Sequence, residues 1–269
     1  MLHGRNLARA LTDKPGSLTV VGTGIALRAQ VTPEAAAAIE HADEVLYLVT
    51  DRLMAASVEG ANPRSRSLHG LYAPGKDRGE TYAEIVDELL APVRAGRNVC
   101  AVFYGHPGVF VRPGHEAIRR ARAEGFTARM LPAVSALDCL FADLGIDPAV
   151  TGLVSYEATE FVVHRRRADT AATLVLWQIG VIGELGYATG PSRASLEVLA
   201  EHLARWYPRE HETIVYEASP YPLVADPFVL RVPLQALPEA DVPLLATLVV
   251  PPARKPRRDR ATMARLGLS

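Results

Sequence analysis

Short apolar runs alternate with amphipathic, glycine-terminated segments through the first half of this chain, and that alternation constrains the fold more than any other feature. SLTVVG (17–22), EVLYLV (44–49), NVCAVF (98–103) and TARML (127–131) read as strands. Between them lie TPEAAAAIEHA, with Thr32 as N-cap and Pro33 at the first helical position, residues 79–95, stopped by Gly96, and RPGHEAIRRARAEG, closed by Gly125. The strand runs are apolar on both faces, as in a sheet covered by helices on both sides. The pattern predicts a mostly parallel sheet in an α/β domain. After GIDPAVTG (145–152) it restarts, with LVSYEA, TLVLWQI, TIVYEA and LLATLVV as strands and SRASLEVLAEHLARWY as a long helix capped by Ser192. The expected organisation is a flexible leader (1–16), an N-terminal α/β domain (17–132), a C-terminal α/β domain (133–252) and a basic tail (253–269).

Composition narrows the function by exclusion. The 269 residues carry a net charge of −1 and few aromatics, 6%. Neither a basic field nor a base-stacking platform argues for nucleic acid. No stretch approaches the ~20 apolar residues of a membrane span, and the opening residues lack the apolar run of a secretory signal. Cys100 and Cys139, both in apolar strings, read as buried thiols of a reducing, cytoplasmic protein. No Cys/His spacing suggests a metal.

Two glycine-rich turns follow predicted strands. VVGTG (20–24) lacks the full dinucleotide fingerprint and reads as a tight turn beneath a site. AVFYGHPGVF (101–110) is the stronger signal. Gly105 and Gly108 permit backbone angles closed to other residues, and Pro107 stiffens the loop. Such a loop after a central strand lies at the carboxyl edge of the sheet, where open α/β sheets bind ligands.

These pieces, with LYAPGKDRGETY (71–82), LPAVSALDCLFADLGIDP (131–148), LWQIG (176–180), YEAS (216–219) and ATLVVPP (246–252), resemble in order the tetrapyrrole-methylase fold. Within it the chain is most similar to the borosin peptide backbone α-N-methyltransferases of the split type. The resemblance spans roughly residues 16 to 268. It implies two α/β domains of the class III methyltransferase type, with S-adenosylmethionine in the interdomain cleft. It implies that Gly22, Tyr104, His106, Val109, Phe110, Ser135, Ala136, Gln178, Ala218 and Thr247 bind that cofactor. It implies a homodimer, or a heterotetramer with two precursors, acting on a separate precursor peptide. Porphyrin-type members carry a Gly-Pro-Gly-Asp run after the first strand; GTGIAL here has neither the proline nor the aspartate. That disfavours the alternative, methylation of a tetrapyrrole-like small molecule.

N-methylating an amide demands specific help. Its nitrogen lone pair is delocalised, on a scale set by the rotation barrier of about 18–20 kcal/mol. Nitrogen and methyl must be aligned, charge on the carbonyl oxygen stabilised, and the N–H proton accepted. Arg78 and Tyr82 are four residues apart and share one face if helical. A guanidinium beside a phenol lowers its pKa. By resemblance Arg78 and Tyr82 act as the base pair, with Tyr72 and Tyr104 orienting the peptide.

Overall fold

The structure, a computed structural model, describes residues 15–184, 186 and 190–268, so most of the expected leader lies outside the described residues. The chain forms two compact units. The first comprises residues 1–139 with 185–187 and 218–226; the second holds 140–184, 188–217 and 227–269. The first unit thus runs past Pro132 and also takes in a segment, Ala218–Asp226, that lies far along the sequence.

The first unit is built on strands β1 (Ser17–Gly22), β2 (Glu44–Leu48), β3 (Ser65–Ser67), β4 (Asn98–Phe103) and β5 (Thr127–Met130). They pair in the order β3-β2-β4-β1-β5, all parallel. Side chains alternate between faces along each strand. Leu18, Val20, Leu46, Val99, Ala101 and Phe103 form one core with α3 (Arg78–Arg94) and α4 (Arg112–Ala123). Val21, Val45, Tyr47, Cys100 and Val102 form the other with α1 (Pro33–His41) and α2 (Arg52–Ala61). Helix starts follow local chemistry: Thr32 Oγ1 accepts the Ala35 N–H, and the carboxylates of Asp51 and Asp77 accept the first free N–H groups of α2 and α3. The predicted helices and the parallel sheet are all present, and β3 is an addition.

The second unit continues with α5 (Ala136–Leu144), which starts in the first, and α6 (Pro148–Thr151). Its sheet contains β6 (Leu153–Glu157), β7 (Thr173–Trp177), β8 (Glu212–Glu217), β9 (Phe228–Pro233) and β10 (Thr247–Val250), ordered β6-β7-β10-β8-β9. Only β6 and β7 run parallel. Helices α7 (Ala158–Val163) and α8 (Arg193–Leu203) pack on its core, α8 capped by Ser192 as expected. A short helix α9 (Arg260–Arg265) lies in the basic tail. Of the two thiols only Cys100 is buried; Cys139 is half-buried on α5 and accepts a hydrogen bond from Gln30. Its place on the half-covered α5, of which Leu140 alone is buried, corrects the expectation of two buried thiols. No helix among the described residues is long and apolar enough to cross a membrane.

Burial pushes the Cys100 thiol and the Tyr207 hydroxyl up to about 12. Both therefore stay protonated in the folded chain at pH values where the unfolded chain has already ionised. Their contribution is complete below the ordinary thiol and phenol values and is lost as pH rises toward 12. The urea midpoint is expected to fall steadily between about pH 9 and pH 11, and Cys100→Ala to flatten part of that slope. An unchanged slope in the variant would remove Cys100 from this account.

Candidate functional site

The connection leaving β1 passes to α1 on one face of the first sheet; that leaving the adjacent β4 passes to α4 on the other. Outside the carboxyl ends of these two strands lies the switch point where open α/β sheets hold ligands. The two glycine-rich turns meet there. Gly24 and Gly105 exchange backbone hydrogen bonds at 3.3 and 3.0 Å, forming an isolated bridge. A Cβ on Gly22 would stand 2.0 Å from the Gly105 carbonyl oxygen, 2.7 Å from Pro107 and 2.8 Å from Ala133. Gly22 is therefore the place where the loops after β1, β4 and β5 close on one another.

The β4 loop is held in one shape by local bonds. Gly105 has φ +69°, and Phe110, without glycine's freedom, has φ +56°. His106 Nδ1 accepts the Gly108 N–H at 3.0 Å, so the ring proton of the neutral tautomer sits on Nε2. The Gly108 carbonyl pairs with His115 Nε2 of α4 at 2.9 Å. Val109 and Phe110 are left 37% and 43% exposed, an apolar ledge at the sheet edge. After β5, Ser135 is buried; its N–H and hydroxyl both donate to Asp138 at 2.7 Å, while Asp138 N–H points back to Ser135 Oγ at 3.4 Å. This is the reciprocal box that opens a helix, here α5, and it fixes Ala136 beside the loops.

Tyr72, Arg78 and Tyr82 come together. Tyr72 follows a short 3-10 turn (His69–Leu71), and Arg78 and Tyr82 occupy the first two turns of α3. Tyr72 and Tyr82 pack on the same core. Burial pushes the Tyr72 hydroxyl up to about 12, Tyr82 pushes the same way, and the Arg78 charge opposes both without prevailing. The guanidinium effect expected from sequence thus operates on Tyr72, but desolvation outweighs it. Arg78 Nη2 also donates to the Gly186 carbonyl at 3.3 Å. Lys76 Nζ donates to the Leu71 carbonyl at 2.8 Å and pairs with Glu84 of α3, fastening the Tyr72 segment to the helix.

Tyr104 belongs elsewhere. Phe103 faces the α3/α4 core, so strand alternation sends Tyr104 to the other face, where it packs against the α1/α2 core. In the second unit, Gln178 follows β7 in the left-handed region at φ +61°. The antiparallel register of β7 and β10, with the bond from Ile179 N–H to Ala246, brings it to the start of β10 where buried Thr247 lies. Ala218 directly follows β8 and is buried; it is assigned to the first unit. Lys76 and His115 carry no local signal in the sequence; their roles depend on contacts across a turn and between loop and helix.

A separate cavity of about 520 Å³ opens between α1 and α2, lined by Thr23, Arg28, Ile39, Glu40 and Met54 among others, and contains none of the predicted site residues. Among the described residues no group of three His, Cys, Asp or Glu could hold a metal.

Comparison with known proteins gives the family and the fold. The chain is 43% identical over 78% of its length to the methyltransferase/ribosomally synthesized type I borosin cyclic peptide precursor of Coprinopsis marcescibilis, of which it spans 54%. It is 39% identical over 91% of its length to the methyltransferase/ribosomally synthesized dendrothelin A precursor of Dendrothele bispora, spanning 60% of that protein. The uroporphyrin-III C-methyltransferase of Thermus thermophilus, complexed with S-adenyl homocysteine, has the same fold at a TM-score of 0.61 and 20% identity, over 88% of this chain and 97% of that one. The family described as Tetrapyrrole (Corrin/Porphyrin) Methylases matches residues 17–220. This chain belongs to the tetrapyrrole (corrin/porphyrin) methylase family.

Proposed function

We propose that this chain is an S-adenosylmethionine-dependent methyltransferase that N-methylates backbone amides of a ribosomally made precursor peptide supplied as a separate chain. The observation that carries the reading is the meeting of Tyr72, Arg78 and Tyr82, in a chain whose relatives are described as methyltransferases joined to cyclic peptide precursors.

The residues at the first sheet's carboxyl edge suit the adenosyl part of the cofactor. Val109 and Phe110 offer an apolar ledge for a base. Gly22, Tyr104, His106, Ser135, Ala136 and Ala218 belong to the unit that carries that edge, and we assign them to the cofactor. When bound, the cofactor supplies a methyl group activated by its sulfonium.

The remaining work falls to the tyrosine–arginine group. Tyr72, protonated at all working pH, donates a hydrogen bond to the acceptor's carbonyl oxygen as the amide gains imidate character. Arg78 stabilises the same developing charge. Tyr82 Oη takes the N–H proton and passes its own hydroxyl proton to water, so nitrogen loses one proton as it gains one methyl. The exposed Leu223 and Val224 support a homodimer, or a heterotetramer with two precursors.

Three outcomes test the reading. Tyr82→Phe is expected to lower single-turnover methylation by about 10²–10⁴-fold, and Arg78→Ala by about 10²–10³-fold, with cofactor affinity retained. Wild-type turnover in both, read by peptide mass spectrometry, would take them out of the mechanism. His106→Leu is expected to weaken cofactor binding about tenfold by calorimetry, whereas His106→Asn, which can accept the same Gly108 N–H, should stay near wild type. Purified with cofactor alone, the chain should gain no methyl mass; methyl groups on its own backbone would overturn action in trans.

A further inference from the structure

Helix α4 carries Arg112, His115, Glu116, Arg119 and Arg120 outward while Pro113, Gly114, Ala117, Ile118 and Ala121 are buried. A groove of about 380 Å³ runs between this basic face and α3. Its α3 wall is small and apolar, with Ala83 and Val86, and it includes Tyr82. The positive charge lining it is only partly answered. Arg119 and Arg120 share one carboxylate, Glu116, and Arg120 reaches Asp87 at 3.4 Å. Arg112 makes no ion pair among the described residues. The two guanidiniums hold the Glu116 carboxyl down at about 2, so it is ionised throughout the working range, and the groove's lining still keeps a positive surplus.

Position decides what such a groove is for. Tyr82, the residue assigned to the reacting amide's proton, is one of its lining residues. A chain presented to Tyr82 has the rest of this groove beside it. From Arg112 to Arg119 the helix rises about 10 Å, the span of about three extended residues. The apolar wall accepts side chains, and the arginines face carboxylates across a narrow trough. A second copy of this chain seated in the groove would cover Tyr82.

We propose that the α3/α4 groove docks an acidic stretch of the acceptor peptide, flanking the residue presented to Tyr82, with Arg112 and Arg119 as its anion-recognising side chains. This rests on the reading of the chain as a peptide methyltransferase. It sets a specificity rule: Asp or Glu within a few residues of the methylated position favours binding, and Lys or Arg there opposes it.

The test uses three fluorescein-labelled synthetic peptides with one apolar Val/Ile/Gly centre, flanked by Asp-Glu, Ala-Ala or Lys-Lys pairs, and reads anisotropy with the full-length chain. The acidic peptide is expected to bind about tenfold more tightly than the lysine peptide at low salt, the advantage shrinking as salt screens it. R112Q/R119Q, which still binds cofactor, should bind all three alike. Equal binding of the three peptides by wild type, a preference unchanged in the variant, or a variant that converts a dimer to monomer by light scattering would overturn the proposal. Binding needs no turnover, so the two readings fail separately. Charge-selective binding without methylation would sink the assigned reaction and leave the groove. Methylation indifferent to flanking charge would sink the groove and leave the reaction.

Discussion

The contact on which the functional edge depends is the approach of the β1 turn to the β4 loop through Gly22, Gly24 and Gly105. Nothing larger than hydrogen fits at Gly22, because the Gly105 carbonyl, Pro107 and Ala133 occupy the space a Cβ would need. With it, three loops from adjacent parallel strands close into one surface. The reciprocal hydrogen bonds of Gly24 and Gly105 then fix where the β4 loop leaves the sheet. His106 and His115 hold its next turn from opposite sides of Gly108, one through the N–H and the other through the carbonyl. The shape of this edge is thus set by backbone first and side chains second.

The tyrosine–arginine group rests on a different constraint, competition between burial and charge. Four-residue spacing put Arg78 and Tyr82 on one helical face, and α3 does begin at Arg78. Spacing could not show that Tyr72, ten residues back in sequence from Tyr82, would be tucked into the same core with its hydroxyl held protonated. A phenol that remains neutral is a donor, which is what the proposed reaction asks of Tyr72.

The layered domain was legible because each signal had a local cause. Thr32-Pro33 and Ser192 announced helix starts, and apolar runs on both faces announced a covered parallel sheet. β3 escaped because SRS contains no apolar residue. β9 escaped because FVLRVP is an edge strand, only half-covered, and bounded by prolines that read as turns. Resemblance groups Tyr104 with the other tyrosines, whereas alternation along β4 sends it to the opposite core. Cys139 sits in an apolar string yet is half-buried, since α5 covers only part of its length. What the sequence withheld were contacts between segments distant in the chain.

Lys76 bears on the entropy of recognition. By gripping the Leu71 carbonyl and pairing with Glu84, it ties the segment ahead of Tyr72 to a helix that is already rigid. Freezing a loop and an aromatic rotamer when a flexible ligand such as the proposed acceptor peptide arrives would subtract from its affinity. Here that ordering is completed during folding, so on the proposed reading a guest that must itself surrender much freedom meets a host with little left to lose.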